Sequence, residues 1–436
     1  MIETLSAGTK VTKRMIDRLA MAHDASHYLL VPEAVLTPSS RAEVVEIFRA
    51  NRLEGRAITF RSGGTSLSGQ GVSGDLLVDT RAAFRAIEVL DDGVRVRVQP
   101  GATVQQVNAR LARHGRRLGP DPASQSACTM GGVIANNSSG MACGVLHNTY
   151  RTLESMVIVL TSGTVLDTSM ADADEVLRRA EPKLYAGLER LRDRVRGNAE
   201  SVNSIRRQFA IKNTMGYGVN SFLDFDAPAD ILAHLLIGSE GTLGFVAEAV
   251  FRTLPVQSHA STGLMVFSSL ADATAALPAL VSAGYTTIEL MDAASLRVAQ
   301  GQSDAPDLLR AIEVRGHAAL LVELQGESPQ AVAKLEADRA HVVSGLPLAA
   351  PFEMSTDSAR RASLWHIRKG LYTAIAGARP SGTTALLEDI AVPVERLLPT
   401  CESLLELFDL HGYENSVIFG HAKDGNIHFM LNERFD

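Results

Sequence analysis

The chain has 436 residues, of which 46% are hydrophobic and 21% are charged, so it can bury a substantial core and form about two or three domains. Its formal net charge is −7 and it has no long basic block, which argues against nucleic acid as the main partner. The three cysteines, Cys128, Cys143 and Cys401, are far apart in the sequence; this spacing gives no disulfide framework, thiolate zinc site or iron–sulfur cluster and fits a reducing cytosol.

The sequence contains no recognisable targeting or membrane-spanning segment. Residues 1–13 lack the apolar centre of a signal peptide. The apolar runs, such as residues 156–160, are far too short to span a bilayer. We therefore expect a cytoplasmic protein, and a peripheral contact with the inner face of the membrane stays open.

Strands and helices alternate in the first half of the chain. Residues 14–30 repeat apolar side chains at helical spacing, and Ser40 followed by Glu43 is typical of a capped helix start. Residues 94–98 alternate strictly between apolar and polar side chains, which predicts a half-buried strand. The other predicted elements are strands at residues 57–60, 74–79, 156–160, 165–167 and 245–250, and helices at residues 103–114 and 172–197.

A glycine-rich tract, residues 61–71, lies between two of these predicted strands. It holds four glycines in eleven residues, together with hydroxyl side chains and Arg61. Backbone N–H groups can converge on an anion in such a turn, because glycine has no Cβ to block the approach. The tract therefore predicts a diphosphate cradle, and a loose surface turn is the alternative that this segment alone leaves open.

Two further glycine-rich tracts follow, at residues 120–144 and 238–244. The first of them is almost uncharged and rich in Ser, Thr, Asn and Gly, which suits close approach to a large polar ligand. The common nucleotide motifs do not fit. Gln70 stands where a P-loop spaced from Gly64 and Gly69 would have its lysine, and no GxGxxG follows the first strand. The tracts therefore predict a nucleotide site in some other fold.

The pattern of the chain changes near residue 257, where a polar segment follows Pro255. We expect the domain boundary there, which gives domains at residues 1–257 and 258–436. Beyond it, strands and helices alternate in a way that predicts a sheet covered by helices on one side. The predicted strands are residues 263–267, 287–291 and 318–325, and the predicted helices are residues 270–283 and 330–343.

Residues 417–431 predict a strand, a tight turn and a second strand. Asp424-Gly425 is a strong signal for a two-residue hairpin turn. With that pair at the centre, His421 lies opposite His428 on one face, with Cβ atoms about 4.5–5.5 Å apart. Two imidazoles in this arrangement can converge on one metal ion, and a stacked structural pair of histidines is the alternative.

Taken together, in their order and spacing, these motifs resemble the FAD-linked oxidases. The FAD-binding fold of that family is of the vanillyl-alcohol oxidase/para-cresol methylhydroxylase (PCMH) type, and the favoured branch is that of the D-lactate, glycolate and D-2-hydroxyglutarate dehydrogenases. The resemblance implies the α+β class, with a PCMH-type FAD-binding domain of two α/β subdomains and an α+β cap domain with an antiparallel sheet. It is carried by Pro32, Pro38, residues 61–70, 98–101 and 120–122, Gly131, Gly132, Asn136, Asn137, Gly140 and residues 238–244.

The resemblance implies that FAD is bound without a covalent link, because covalently flavinylated relatives often carry histidine where this chain has Thr65. Residues 61–70 would bind the diphosphate, residues 120–140 would line the flavin and ribityl chain, and residues 240–246 would lie along the adenosine. For Ser124 and Asn136, satisfying buried backbone groups is the alternative role. The implied FAD residues are Arg61, Ser62, Gly63, Gly64, Thr65, Ser66, Gly69, Gln70, Pro100, Pro120, Asp121, Ser124, Met130, Gly131, Gly132, Asn136, Asn137, Gly140, Glu240, Gly241, Leu243, Gly244 and Val246.

The resemblance also implies a divalent metal, zinc or manganese, bound by His421 and His428. A GHxGDGNxH segment supplies two metal ligands in the hydroxy-acid dehydrogenases, and this chain matches it except for Lys423 in place of a glycine. The family's third ligand is a glutamate followed by a histidine that serves as the base, and that pair would come after Asp436. We therefore expect the cap domain to be truncated at its end.

Residues 364–369 include the only tryptophan of the chain and are predicted to begin a helix. The family has a W-x-x-R pattern here, which makes Arg368 the expected clamp for the substrate carboxylate; a surface charge on the helix is the alternative. The implied catalytic residues are then Arg368, His421, Asn426 and His428. Relatives that act on dicarboxylates tend to have a lysine where this chain has Leu387, so a small monocarboxylate such as D-lactate is favoured.

These features predict an FAD-dependent 2-hydroxy-acid dehydrogenase, similar to D-lactate dehydrogenase or glycolate oxidase. Its electrons would pass to a quinone, a cytochrome, an electron-transfer flavoprotein or an iron–sulfur protein. Residues 143–151 resemble members fused to a C-terminal iron–sulfur domain, so we expect the chain to be the flavin part of such a protein. Two alternatives stay open: an FAD-binding electron-transfer subunit that is inactive without its partner, and a reductase for an unsaturated sugar nucleotide, which the histidine hairpin disfavours.

Overall fold

The computed structural model describes residues 8–214, 216–302, 305–377, 379–413 and 416–434. The chain divides into two compact units, Met1–Val256 and Gln257–Asp436. The boundary that the sequence predicts, between residues 257 and 258, lies one residue further along the chain. Within the described residues, no helix combines the length and the apolar character that crossing a membrane requires.

The first unit begins with a small sheet that leads into the first glycine-rich tract. Its strands are β1 (Lys10–Thr12), β2 (Ala34–Thr37), β3 (Ile58–Arg61) and β4 (Leu76–Asp79), in the order β1-β2-β4-β3. Strands β2 and β3 both run parallel to β4, and β1 is antiparallel to β2. Because β3 ends at Arg61, the glycine-rich tract leaves the carboxyl end of a parallel strand, which is where ligands bind in such sheets.

Two helices accompany this sheet, α1 (Met15–Leu19) and α2 (Arg41–Glu54). The predicted capped start of α2 is confirmed: the side chain of Ser40 accepts a hydrogen bond from the backbone N–H of Glu43. The helix predicted over residues 14–30 is wrong in extent. No residue of α1 is buried, and an isolated short helix has little to stabilise it beyond its own hydrogen bonds.

A second sheet in this unit contains five antiparallel strands. They are β5 (Ile87–Leu90), β6 (Arg95–Val98), β8 (Leu153–Val159), β9 (Val165–Asp167) and β10 (Phe245–Arg252), in the order β5-β6-β10-β8-β9. A two-stranded ladder joins β7 (Arg116–Arg117) to β11 (Leu254–Pro255). The helices of this part are α3 (Val104–Leu111), α4 (Met130–Asn136), α5 (Thr149–Thr152), α6 (Ala173–Ala180), α7 (Pro182–Arg196), α8 (Ala199–Phe209), α9 (Ser221–Asp224) and α10 (Pro228–Leu236).

The second unit is built on one antiparallel sheet of six strands. They are β12 (His259–Phe267), β13 (Thr287–Met291), β14 (Ala318–Gly326), β15 (Thr384–Ala391), β16 (Val417–His421) and β17 (Asn426–Glu433), in the order β12-β14-β13-β16-β17-β15. Its helices are α11 (Leu270–Ser282), α12 (Ala293–Gln300), α13 (Asp307–Arg310), α14 (Pro329–Ser344), α15 (Ser358–Gly377) and α16 (Leu397–His411).

Helices cover both faces of this sheet, so the expectation of helices on one side is wrong. Along β12, Leu264 and Val266 pack in one apolar cluster with α12 and α15, whereas Met265 and Phe267 pack in another with α11 and α16. The reason lies in the strands themselves. Residues of β14 are buried whichever way they point, and a strand that is apolar on both faces needs cover on both.

Candidate functional site

The first glycine-rich tract presents a row of backbone donors. In the part of the chain that the structure describes, the N–H groups of Gly63, Gly64, Thr65 and Ser66 donate to no acceptor. Gly64 has φ +70°, a conformation that glycine adopts without strain, and a Cβ there would collide with the guanidinium of Arg61. Consecutive unpaired amides in a turn of this kind form an anion-binding nest.

The side chain of Arg61 binds backbone carbonyl groups at and near this tract. Its Nη1 donates to the carbonyl oxygen of Gly71 at 2.8 Å and its Nη2 to that of His23 at 2.6 Å. The side chain is buried, and this burial, together with nearby Arg81, lowers the pKa of the guanidinium from its ordinary high value. Arg61 therefore fixes the shape of the tract, and among the described residues its buried Nε has no hydrogen-bond partner.

The second glycine-rich tract contacts the first through Ser62 and α4. The Oγ of Ser62 accepts a hydrogen bond from the N–H of Gly132 at 2.9 Å and also contacts the hydroxyl of Thr129. One residue earlier, the N–H of Gly131 donates to the carbonyl oxygen of Pro100 at 2.9 Å. A side chain at Gly131 would collide with Pro100, so the start of α4 lies against both segments because these residues are glycine.

Asp121 makes hydrogen bonds within the second glycine-rich tract. Its carboxylate accepts hydrogen bonds from the N–H groups of Ala142 and Cys143 at 3.0 and 3.1 Å. Burial raises the pKa of Asp121, and these two hydrogen bonds act in the opposite direction. Asp121 and Gly140 also form an isolated backbone bridge. Asp121 thus holds its own loop together.

The third glycine-rich tract reaches the second at the end of α4. The Nδ2 of Asn136 donates to Oε1 of Glu240 at 2.9 Å, and the N–H of Glu240 donates to the carbonyl oxygen of Ala135 at 2.9 Å. Burial raises the pKa of Glu240, while the hydrogen bond from Asn136 lowers it. Asn137 is the left-handed residue that ends α4, and its Oδ1 accepts from the N–H of Tyr150.

The remaining residues of the predicted FAD set occupy varied positions around these contacts. Ser124 accepts backbone hydrogen bonds in its own turn, and Gln70 is exposed and contacts the hydroxyl of Ser66. Pro120, Met130 and Gly244 are buried, Gly69, Leu243 and Val246 are half-buried, and Gly241 is exposed. The structure therefore brings the three tracts to one place, around α4.

These residues fit the diphosphate and polar arms of a dinucleotide. The nest of unpaired amides suits phosphate oxygens, and the half-buried small residues at Gly131 and Gly132 leave room for close approach. The fit rests on backbone groups, which explains why no lysine or arginine needs to stand at the tip of the tract.

The second unit holds a polar cluster on the face of the sheet that α15 covers. Glu289, on β13, is fully buried, and its two carboxylate oxygens lie 2.8 and 3.0 Å from Nδ1 of His421. The same carboxylate lies 2.7 Å from Nη2 of Arg368. The guanidinium of Arg368 also lies 4.8 Å from the centre of the Phe419 ring. One carboxylate thus ties the histidine to the arginine.

His428, on β17, completes the cluster. Its Nδ1 lies 3.1 Å from Oδ1 of Asp389, which is on the neighbouring strand β15. Its Nε2 lies 3.3 Å from Nε2 of His421, and the two rings are perpendicular. Asn426 lies behind this pair, where its Nδ2 contacts Asp389 and donates to the carbonyl oxygen of Ile390 at 3.0 Å. Asn426 therefore orients Asp389.

The predicted hairpin register is wrong by two residues. His428 pairs with Phe419 instead of His421, and the turn is a short 3-10 segment, Ala422–Asp424, closed by Gly425 with φ +66°. The two histidines nevertheless share a face, because side chains alternate with a period of two and an even shift preserves the face. They lie diagonally across the hairpin and still meet at their Nε2 atoms.

The partners of this pair fix the role of each Nδ1 atom. A carboxylate only accepts hydrogen bonds, so the Nδ1 atoms of His421 and His428 donate to Glu289 and Asp389. The two Nε2 atoms lie 3.3 Å apart, where they can share a proton in a hydrogen bond or hold a cation between them. Two nitrogen ligands on a tetrahedral zinc ion are about 3.3 Å apart for bonds of about 2.05 Å. Carboxylates behind the ligating histidines are also the usual outer shell of a metal site.

The pair by itself is an incomplete metal site. Across the described ranges of the chain, no group of three or more His, Cys, Asp or Glu side chains is arranged to hold a metal ion. The residues present therefore fit a divalent metal as two ligands, and any further ligands would have to be water, substrate or other protein groups.

The helix that carries Arg368 starts earlier than the sequence suggests. Helix α15 begins at Ser358, so Leu364 lies within it rather than at its start. Arg368 is only 6% exposed, so the alternative of a surface charge is wrong. In the described part of the chain, its buried Nε has no hydrogen-bond partner.

Sequence reasoning missed Glu289. The available signal was a carboxylate inside the apolar run 287–291, since a charge in a strand that is buried on both faces needs a partner. The contact of Asp389 with His428 depends on the strand order, which the sequence does not display.

Comparison with known proteins gives two family models in sequence order. The FAD binding domain model matches residues 32–169, and the model of the C-terminal domain of FAD linked oxidases matches residues 256–435. The two matches fall largely in the first and second unit, respectively.

Curated relatives include three enzymes at similar distance. A D-2-hydroxyglutarate dehydrogenase of Haemophilus influenzae is 26% identical over 94% of this chain, and the chain spans 42% of that protein's length. Glycolate oxidase subunit GlcD of Escherichia coli K12 is 26% identical over 93% of this chain and 70% of its own length. The mitochondrial D-lactate dehydrogenase [cytochrome] of Kluyveromyces lactis is 25% identical over 92% of this chain and 61% of its own length.

Among solved structures, alkyldihydroxyacetonephosphate synthase matches with a TM-score of 0.69 at 15% identity. The match covers 97% of this chain and 78% of that chain. This likeness shows a common fold, and it confirms the expected α+β architecture with an antiparallel sheet in the second unit.

Proposed function

The chain belongs to the FAD-linked oxidases, and on that basis we propose that it is an FAD-dependent dehydrogenase that oxidises a D-2-hydroxy acid to the 2-oxo acid. D-lactate is the favoured substrate, followed by glycolate and D-2-hydroxyglutarate. The observation that carries the proposal is the pair of imidazole Nε2 atoms 3.3 Å apart, linked through Glu289 to the buried Arg368. The cluster combines a cation site with a group suited to a carboxylate.

The first unit would hold FAD, without a covalent link, through the three glycine-rich tracts. The unpaired amides of residues 63–66 would bind the diphosphate, and the contacts of Ser62 with Gly132 and of Asn136 with Glu240 would keep the tracts in register. When bound, FAD supplies the acceptor for the hydride that leaves the substrate Cα. The protein contributes orientation and the field of its amides.

The second unit would hold the substrate and a divalent metal. His421 and His428 would bind zinc or manganese, and such a metal lowers the pKa of a hydroxyl that it binds. Arg368 would bind the substrate carboxylate, which needs a charged planar donor. Glu289 keeps Arg368 and His421 in fixed relation, so a substrate with adjacent hydroxyl and carboxylate groups meets both.

Leu387 is the residue that bears on the size of the substrate. This residue is half-buried on β15, pairs with Met430 and packs against the apolar cluster beside α15. It lies two residues before Asp389, on the same face of the strand. An uncharged side chain here offers nothing to a second carboxylate, which favours a small monocarboxylate over a dicarboxylate.

The electron acceptor is proposed from the relatives. One of them bears cytochrome in its name, and another is named as a subunit of an oxidase. We propose a quinone, a cytochrome, an electron-transfer flavoprotein or an iron–sulfur protein as the acceptor in place of NAD. The proposal that the chain is the flavin part of a longer iron–sulfur protein rests on the resemblance of residues 143–151.

A second candidate function is that of an FAD-binding electron-transfer subunit that needs a partner to act on a substrate. The observation in its favour is that the described residues contain no group of three or more His, Cys, Asp or Glu side chains arranged to hold a metal ion. A catalytic metal site usually has three protein ligands.

A steady-state assay with a redox dye as acceptor separates the two functions. The purified flavoprotein is supplied with zinc or manganese and with D-lactate, L-lactate, glycolate or D-2-hydroxyglutarate. Dye reduction with D-lactate, slower reduction with the other acids and formation of the 2-oxo acid are expected. No dye reduction with any of the four acids, from a protein that holds FAD, would leave the electron-transfer function as the better account.

A further inference from the structure

A second buried carboxylate, Glu323 on β14, gathers four hydrogen bonds. It is 4% exposed, and it accepts from the indole Nε1 of Trp365 at 2.6 Å and from the hydroxyl of Thr262 at 2.7 Å. Nη2 of Arg361 lies at 3.3 Å and Nε2 of Gln325 at 2.7 Å. Every donor reaches this carboxylate from the face of the sheet that α15 covers or from a neighbouring strand.

Burying a carboxylate is costly, and stability alone gives a weak reason for it. A well-packed apolar side chain at such a position is often as stable as a buried ion pair or more so, whereas a charge with fixed partners specifies one geometry. The other side chains of β14 are apolar except that of Gln325, so an apolar residue at position 323 would fit the pattern of the strand. The network around Glu323 therefore points to a geometric role.

Glu323 and Glu289 hold the same helix at two points. Trp365 and Arg368 are three residues apart on α15 and therefore lie on one face of it. Trp365 binds Glu323, and Arg368 binds Glu289. The two carboxylates lie on neighbouring strands, because Glu289 pairs with Leu321, two residues before Glu323. Two anchors on one helix face fix both the rotation of the helix and its position along its axis.

We propose that Glu323 is a positioning residue that acts through Trp365 on Arg368. The Trp365 anchor sets the rotation of α15, and the rotation of α15 sets where the Arg368 guanidinium stands over Phe419 and beside Glu289. The inference rests on the proposed function, in which Arg368 binds the substrate carboxylate, and it adds a residue that touches neither substrate nor cofactor.

Two conservative variants test the anchor. Trp365→Phe keeps an aromatic ring and removes the N–H donor, and Glu323→Gln keeps the shape and removes the charge. We expect both to raise the KM for D-lactate at least tenfold and to change kcat less than threefold, because a displaced guanidinium weakens binding of the carboxylate. The matched control is Gln325→Met, which removes a hydrogen bond to the same carboxylate from β14 itself and leaves α15 untouched; its KM stays within twofold of the wild type.

The pattern of KM values decides between positioning and mere stability. Equal increases in KM for Gln325→Met and Trp365→Phe, or unchanged KM in Glu323→Gln, would overturn the inference while leaving the proposed function intact. If the wild-type protein oxidises none of the hydroxy acids, the proposed function fails first, and the fluorescence of the single tryptophan then tests the anchor by itself.

Trp365 is the only tryptophan of the chain, so its emission reports on this anchor directly. Glu323→Gln is expected to shift the emission maximum of the folded protein, because the indole loses its charged partner, and Gln325→Met is expected to leave the maximum in place. Identical emission spectra for the wild type and Glu323→Gln would show that the indole does not depend on this carboxylate and would overturn the inference.

Discussion

Arg368 and His421 share one carboxylate. Nη2 of Arg368 lies 2.7 Å from one oxygen of Glu289, and Nδ1 of His421 lies 2.8 Å from the other. The three side chains come from α15, β13 and β16, so elements that are distant in the sequence meet at one buried charge. The arrangement fixes the separation between the two groups that we propose bind a metal ion and the substrate carboxylate.

The first prediction concerns Glu289 itself. Glu289→Gln keeps the volume of the side chain. The amide NH₂ group of the glutamine then faces either Arg368 or His421, and the buried charge of Arg368 loses its carboxylate partner. We expect the second unit to lose about 3 kcal/mol of stability and the rate of flavin reduction by D-lactate to fall by a factor of about 100 or more. Glu388→Gln, on the exposed face of β15, is the control and should change stability by no more than about 0.5 kcal/mol. Wild-type rates in Glu289→Gln would contradict the role of the shared carboxylate.

A second prediction concerns metal content. Replacing His428 by Asn removes one of the two imidazole ligands that we propose for the metal ion. Zinc or manganese bound per protein, measured by elemental analysis after dialysis, should fall at least tenfold in His428→Asn. FAD content should not change, because the tracts that would bind it lie in the other unit. Equal metal content in the wild type and the variant would indicate that the pair is a structural contact.

The glycine-rich tract allows a test by filling space. Gly64→Ala forces a left-handed φ of +70° on alanine and places a Cβ against the guanidinium of Arg61. The strain is about 1–2 kcal/mol, so the Kd for FAD should rise by about five- to thirtyfold, measured from the fluorescence of released flavin. Gly74→Ala is the control, since a Cβ at Gly74 meets nothing within 4 Å. An unchanged Kd in Gly64→Ala would place the diphosphate elsewhere.

A pH dependence follows from His234, which lies buried in the first unit between the rings of Phe225 and Tyr150. Burial lowers its pKa to about 4, although the carbonyl oxygen of Asp230 accepts from its Nδ1 and opposes the shift. Below the ordinary pKa of 6.5, His234 takes up a proton in the unfolded chain but stays neutral in the folded chain until the pH approaches 4. The free energy of unfolding therefore falls as the pH falls. The loss between pH 6.5 and pH 4 amounts to about 3 kcal/mol from this group.

Urea unfolding of the wild type and His234→Asn at pH 7.5, 5.5 and 4.5 checks this sign. Asparagine keeps an N–H donor near the position of Nδ1 and does not titrate. As the pH decreases, the free energy of unfolding of the wild type should therefore fall relative to that of the variant, by up to about 3 kcal/mol. Parallel stability curves would show that His234 is protonated in the folded protein.

Local signals in the sequence predicted local structure well. Ser40 and Glu43 define the start of α2 because a cap depends on residues within one turn. The apolar runs of β13 and β14 identified those strands because burial on both faces leaves a continuous pattern. The prediction that His421 and His428 share a face is correct because the register differs from the expected one by an even number of residues.

Other features depend on neighbours that the sequence does not display. The turn before Gly425 is a 3-10 segment whose length shifts the register, and Asp-Gly fits this turn as well as a two-residue turn. Glu289 owes its role to the crossing of α15 over β13 and β16, which only tertiary packing determines. Helix α15 starts at Ser358, before the W-x-x-R pattern, and Arg361 near its start donates to the hydroxyl of Thr262 on β12.

Anaerobic titration of the flavoprotein with D-lactate, in the presence of zinc or manganese, tests the central claim most directly. Hydride transfer from Cα to FAD bleaches the visible absorption band of the flavin. We predict that D-lactate bleaches the band, that L-lactate does not, and that His421→Asn abolishes the bleaching while FAD stays bound. A flavin band that persists with D-lactate, glycolate and D-2-hydroxyglutarate alike would contradict the assignment of this chain as a 2-hydroxy-acid dehydrogenase.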